Sequence, residues 1–133
     1  MRFQGSFPGT PASVAEIRRA VSQVARECGL SPQRVHEVRL AVSEAVSNAI
    51  VHAYDGRDGD IRVCIAEEDG ELVVTIGDTG GGVVPRPDSP GLGLGLPLIV
   101  ALTTRMEICN GDEATEVLMA FECPERHCHG AAA

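Results

Sequence analysis

Between Arg39 and Tyr54 the chain reads RLAVSEAVSNAIVHAY, and its apolar positions recur at intervals of three and four. Val38, Val42, Ala45, Val46, Ala49, Ile50 and Ala53 fall on one broad arc, the pattern of a helix that buries a face. Glu44, Asn48 and His52 are spaced four apart beside that arc, so each lies about a turn above the last. Ser31 and Pro32 supply a start signal for this helix, and it is expected to end near Tyr54–Gly56. An earlier helix begins either at Thr10-Pro11 or at a Ser13-to-Glu16 capping box, and runs to about Cys28, with Gly29 as its stop.

Alternating and β-branched runs mark the strands. Residues 2–8 carry a weak strand signal, and Ile61–Ala66 and Leu72–Ile76 form a hairpin across Asp69-Gly70. Met106–Cys109 and Glu116–Phe121 form a second hairpin across Asn110-Gly111. Leu96–Leu102 reads as a buried helix, whereas Val83–Pro90, with three prolines, is neither helix nor central strand. The order is strand, two helices, two strands, a glycine-rich loop, a helix and two strands. Strands grouped in hairpins predict an α+β fold: a two-layer sandwich of a mixed, mostly antiparallel sheet with helices on one face. One domain is expected over residues 1–123, with a disordered tail over 124–133.

Charge and composition remove several function classes. A net charge of -8 argues against a general nucleic-acid or anionic-membrane binder. All eleven basic residues are arginine. Without lysine, neither a Walker P-loop nor a eukaryotic-type kinase site can be built. Met1 runs into RFQGSFPGT with no apolar leader segment, and no run is long enough to span a membrane. Five cysteines, an odd number set mostly in apolar segments, then fit reduced thiols and a cytoplasmic protein. Cys123, His127, Cys128 and His129 cluster near the end, but their spacing fits no common zinc pattern.

Two glycine loops follow the hairpin. Asp78-Thr-Gly80-Gly-Gly82 sits where a strand ends; an aspartate there can accept from an exocyclic amine, and glycines let backbone approach a flat ring. A plain strand-to-loop turn uses the same residues. Gly91-Leu-Gly93-Leu94-Gly95 precedes a helix, where backbone N–H groups and the helix dipole suit phosphate. A dinucleotide fingerprint would need a further glycine at 96 or 98, and both are leucine.

In this order, the ExxxN helix, DxGxG after a strand and GLGLG before a helix resemble the GHKL ATPase superfamily with its Bergerat ATP-binding fold. Glu44–Tyr54 looks like the N box, Asp78–Gly82 the first glycine box, and Gly91–Gly95 the second. The SEAVSNAIVHAY wording is most similar to the anti-sigma-factor serine/threonine kinases. The resemblance implies that Glu44 is the general base and that Asn48 is the protein ligand of Mg²⁺. It implies that Asp78 reads the adenine amine of ATP, with Gly80 and Gly82 against the ring. It also implies that Gly91, Gly93, Leu94 and Gly95 follow the phosphates and that Thr115 supports the adenine end. Its implied partners are a STAS-type anti-anti-sigma protein, which would accept the phosphate, a sigma factor, and a second copy of the chain in a homodimer.

Three departures from that pattern stand in the sequence. The lid, Val83–Pro90, is eight residues long, shorter than in characterised anti-sigma kinases. Ser89 and Pro90 occupy the place of an arginine, leaving Arg86 as the lid's one cation, and Ala114 replaces the glycine before Thr115. These departures keep a second function open: a non-catalytic, ATP-dependent binding module that sequesters a regulatory client. A plain ATPase is a third.

Overall fold

The computed structural model describes residues 1–50, 59–78, 98–110 and 115–124. Strand β1 is Phe3–Pro8, helix α1 Pro11–Glu27, helix α2 Pro32–Ala49, and strands β2 and β3 are Asp60–Glu68 and Glu71–Asp78. After a short helical segment at 98–102 come β4, Arg105–Asn110, and β5, Thr115–Glu122.

Local chemistry explains the element ends. Thr10, with extended backbone, precedes Pro11 at the start of α1, so the earlier of the two expected starts is the observed one. Ser13 does not cap; its hydroxyl donates to the Pro8 carbonyl at 2.5 Å and ties the helix to the end of β1. At the other end Gly29 takes a φ of 88°, its N–H bonds the Arg26 carbonyl, and the Leu30 N–H bonds that of Ala25. That is a Schellman stop, and Leu30 and Ala25 are both buried in the core. Ser31 then caps α2, its hydroxyl accepting from the Arg34 N–H at 3.2 Å. Replacing Ser31 with Ala should cost about 1 kcal/mol, read as a shift in urea midpoint at unchanged slope. The backbone is still helical at Ile50, and the expected end near Tyr54–Gly56 lies outside the described residues.

Asp69 and Gly70 both have positive φ, 50° and 78°, which gives the β2–β3 hairpin its tight two-residue turn. The sheet order is β1-β2-β3-β5-β4, and every pairing is antiparallel. β3 and β4 therefore run in the same direction with β5 between them, and the chain must cross over between them. The 98–102 segment is hooked to the sheet through Thr104, whose N–H donates to the Ala120 carbonyl at 2.8 Å and whose hydroxyl accepts from the Glu122 N–H at 3.0 Å. Ile99 in this segment is fully buried, but Val100 is 55% exposed, so the segment buries one side only.

The helices cover one face of the sheet. Ile61, Val63 and Ile65 of β2, Leu72, Val74 and Ile76 of β3, and Met119 and Phe121 of β5 share one core with Ile17, Val21, Val38, Val42 and Val46. The opposite face also hides Val73 and Ala120. There Arg105 of β4 reaches over β5 to Glu71 of β3 at 3.0 Å and to Glu107 at 2.7 Å, so its side chain passes across Ala120. Among the described residues no helix is long and apolar enough to cross a membrane.

The two ends of the sandwich differ in content. Gly9 bonds Gly59 at the N-terminal end of α1, beside Pro8 and Asp60. α1 runs from there to the other end, where Arg2 pairs with Glu27 and Glu67. Burial, the Glu67 carboxylate and Cys123 push the Cys28 thiol at that end up to about 12. α2 starts at this same end, since Leu30, Ser31 and Arg34 line one surface cleft with Glu122 and Cys123. An 18-residue helix is about 27 Å long, much the length of an eight-residue strand, so α2 returns across the sheet.

Candidate functional site

The return of α2 sets up the site. Its last turns, with Glu44 and Asn48, come back to the end of the sheet where β3 finishes at Asp78 and β5 begins at Thr115. Val38, Ala41, Val42, Ala45 and Val46 are buried, which turns Glu44 and Asn48 to the margin of the packed face, where both are half-buried. Four residues of rise separate the two by about 6 Å along the axis.

Asn48 carries the sharpest signal. Its Nδ2 is buried with no hydrogen-bond partner among the described residues. A buried amide without a partner costs on the order of 1–3 kcal/mol, so such a group calls for a ligand. The oxygen and nitrogen of an amide exchange places by a simple flip. Asn48 can thus offer Oδ1 to a hard cation and Nδ2 to a phosphate oxygen, and the residue fits a metal–nucleotide site on its donor set. Ser43 Oγ is likewise buried and unpaired, but it lies well round the helix from Asn48.

Asp78 and Thr115 face each other directly in the β3–β5 register, with Ile61 of β2 on the other side of Asp78. Both continue the helix-facing series of their strands, so their β-carbons lie about 5 Å apart on the same face. Asp78 is 5% exposed and Thr115 7%, and neither stands without a partner. A carboxylate this buried is tolerated only where hydrogen bonds hold it, and a partnered carboxylate has a fixed direction in which to accept.

The structure thus gathers Asp78 and Thr115 at one sheet end and brings Glu44 and Asn48 back to it on α2. Gly80, Gly82, Gly91, Gly93, Leu94 and Gly95, together with His52 and the Val83–Pro90 lid, lie outside the described residues, as do residues 125–133 of the expected tail. The direct Asp78–Thr115 pairing was not legible from spacing, because it depends on β5 inserting between β3 and β4.

Comparison with known proteins gives a consistent picture. Residues 7–121 match the model of a family described as the histidine kinase-like ATPase domain. The chain is 28% identical over 114 residues to an anti-sigma F factor of Clostridium acetobutylicum, covering 77% of this chain and 80% of that one. It is 29% identical to the serine-protein kinase RsbW of Bacillus pumilus, covering 92% of this chain and 87% of the relative. Among solved structures, the RsbU and RsbW domains of a Mycobacterium tuberculosis protein superpose with a TM-score of 0.70 at 19% identity. That match covers 93% of this chain and 33% of the other, so the chain spans a third of that solved chain of RsbU and RsbW domains. A histidine kinase domain from Erythrobacter litoralis superposes with a TM-score of 0.58 at 21% identity, over 84% of this chain and 60% of that one.

Proposed function

Because the chain belongs to the histidine kinase-like ATPase family, whose nucleotide is ATP, we propose that it is a Mg²⁺-dependent protein serine/threonine kinase of a partner-switching system. Its phosphate acceptor is a serine or threonine on a STAS-type anti-anti-sigma protein, and it holds a sigma factor or a similar client inactive. The names of the Clostridium and Bacillus relatives support this reading. The observation that carries it is the buried amide nitrogen of Asn48, without a partner among the described residues, one turn from Glu44 on the same helix.

In this reading each residue has one task. Glu44 accepts the proton of the acceptor hydroxyl as its oxygen bonds the γ-phosphorus; the bond from that phosphorus to the β,γ-bridging oxygen breaks and ADP departs. Asn48 would hold Mg²⁺, which would supply charge neutralisation at the phosphate oxygens. Asp78 accepts from the adenine amine, and Thr115 supports it from the facing strand. Gly80 and Gly82 give the ring room; Gly91, Gly93, Leu94 and Gly95 offer backbone N–H groups to the phosphates. The protein works as a homodimer in the cytoplasm.

The test is transfer of label from γ-labelled ATP into a lysate of the source organism, with Mg²⁺ present and then chelated. A small labelled protein that disappears on chelation is the expected result. A second reading, the ATP-gated binding module, is favoured by the eight-residue lid with Ser89 and Pro90 at the arginine's place. A cation on the γ-phosphate is worth orders of magnitude in phosphoryl transfer. ATP binding without any labelled acceptor would replace the kinase with that module.

A further inference from the structure

At the end of the sandwich away from Asp78, three chain segments remote in sequence converge. Cys28 follows α1, Glu67 is the penultimate residue of β2, and Cys123 follows β5. Cys28 Sγ, a Glu67 carboxylate oxygen and Cys123 Sγ all lie within 4.8 Å of one another. Cys28 is buried, and Glu67 and Cys123 are half-buried. We propose that Cys28, Glu67 and Cys123 form a binding site for one zinc ion, separate from the nucleotide end of the fold.

The donor set selects the ion. Two sulfurs are unsuited to Mg²⁺ or Ca²⁺, which take oxygen, whereas thiolates with a carboxylate suit zinc. Zn–S and Zn–O bonds of about 2.3 and 2.1 Å put tetrahedral ligands roughly 3.6–3.8 Å apart, so three donors within 4.8 Å of one another need to close by about 1.2 Å at most. Each donor is already anchored. The Cys28 backbone N–H bonds the Val24 carbonyl at 2.9 Å at the end of α1. The Cys123 N–H bonds the Gly70 carbonyl at 2.9 Å. Arg2 places its guanidinium 3.3 Å from Glu67 Oε1 and 3.0 Å from Glu27 Oε1, which anchors the Glu67 carboxylate. A carboxylate offers about four lone-pair sites, enough for Arg2 and a metal together.

Access and a fourth ligand are available too. The cleft lined by Gly29, Leu30, Ser31, Arg34 and Glu122 reaches Cys123, so the ion would enter beside Cys123, and a water would complete its coordination from the cleft. Bound zinc would join the end of α1 to β2 and to the end of β5, and so lock the helical layer onto the sheet. The rival chemistry for the same two sulfurs is a Cys28–Cys123 disulfide, and the experiment separates them.

The full-length reduced protein, freed of metal by a chelator, is titrated with Zn²⁺ and with Co²⁺ as the optical probe. The expected result is one equivalent, a tetrahedral Co²⁺ spectrum with sulfur-to-cobalt charge transfer, and a Tm raised by Zn²⁺. Cys28→Ala and Cys123→Ser should each weaken Co²⁺ binding about 100-fold or more, and Glu67→Gln about tenfold, while Cys64→Ser and Cys109→Ser leave it unchanged. Because Cys28 is fully buried, Cys123→Ser and Glu67→Gln carry the test if Cys28→Ala lowers the melting temperature in the absence of metal. No uptake by the reduced wild-type protein overturns the site, as does a Cys28–Cys123 disulfide whose reduction yields no Co²⁺ binding. So does uptake that survives Cys123→Ser but is lost when His127→Ala, Cys128→Ser and His129→Ala are combined.

Discussion

Glu44→Gln should bind ATP with wild-type affinity and pass its γ-phosphate to the protein acceptor about 10²- to 10⁴-fold more slowly. The substitution keeps the volume of a half-buried side chain on α2 and removes its capacity to take a proton. It leaves Asn48, Asp78 and Thr115 in place, so the nucleotide keeps the residues assigned to hold it. The loss belongs to the transition state alone and should appear in kcat, equivalent to about 3–5 kcal/mol, with little change in the KM for ATP. Single-turnover transfer to the purified acceptor measures it, and an unchanged urea midpoint shows that the fold survives. Transfer at the wild-type rate would remove Glu44 from the chemistry. Weakened ATP binding in the same variant would place Glu44 on the nucleotide instead of the acceptor.

Where backbone preference is local, the sequence already contains the answer. Asp69-Gly70 specifies a two-residue hairpin because both residues tolerate positive φ, and both adopt it. Gly29 ends α1 for the same reason, and Ser31-Pro32 starts α2. The ExxxN spacing places Glu44 and Asn48 on one side of α2 because the period of a helix is fixed. Long-range pairing is different in kind. The second hairpin can be read from its two runs, but its insertion with β5 against β3 cannot, since no local preference encodes which edge it joins. The facing of Thr115 and Asp78 is a consequence of that choice. Leu96–Leu102 shows another limit. A run without polar residues has no face to read, and the one-sided burial of Ile99 beside an exposed Val100 depends on how the segment docks. The same holds for Cys28, Glu67 and Cys123: Cys123 attracts attention in sequence for its histidine neighbours, while its partners in space come from α1 and β2.

Asp78→Asn should erode the preference for ATP over GTP, weakening ATP binding about 10- to 100-fold while improving GTP. An ionised carboxylate only accepts hydrogen bonds, so it pairs with the exocyclic amine of adenine and repels the carbonyl oxygen of guanine. Asparagine adds a donor of the same size, which a guanine carbonyl can accept. The effect is large because Asp78 is only 5% exposed: little water reaches the carboxylate to screen a wrong partner or to satisfy a missing one. Thr115 stands directly opposite on β5, so the two side chains share one face at the end of the sheet. Competition of ATP and GTP for a fluorescent adenine nucleotide measures both arms. A wild-type protein that binds the two nucleotides alike, or an Asp78→Asn variant that weakens both equally, would show that Asp78 holds the sheet end together without reading the base.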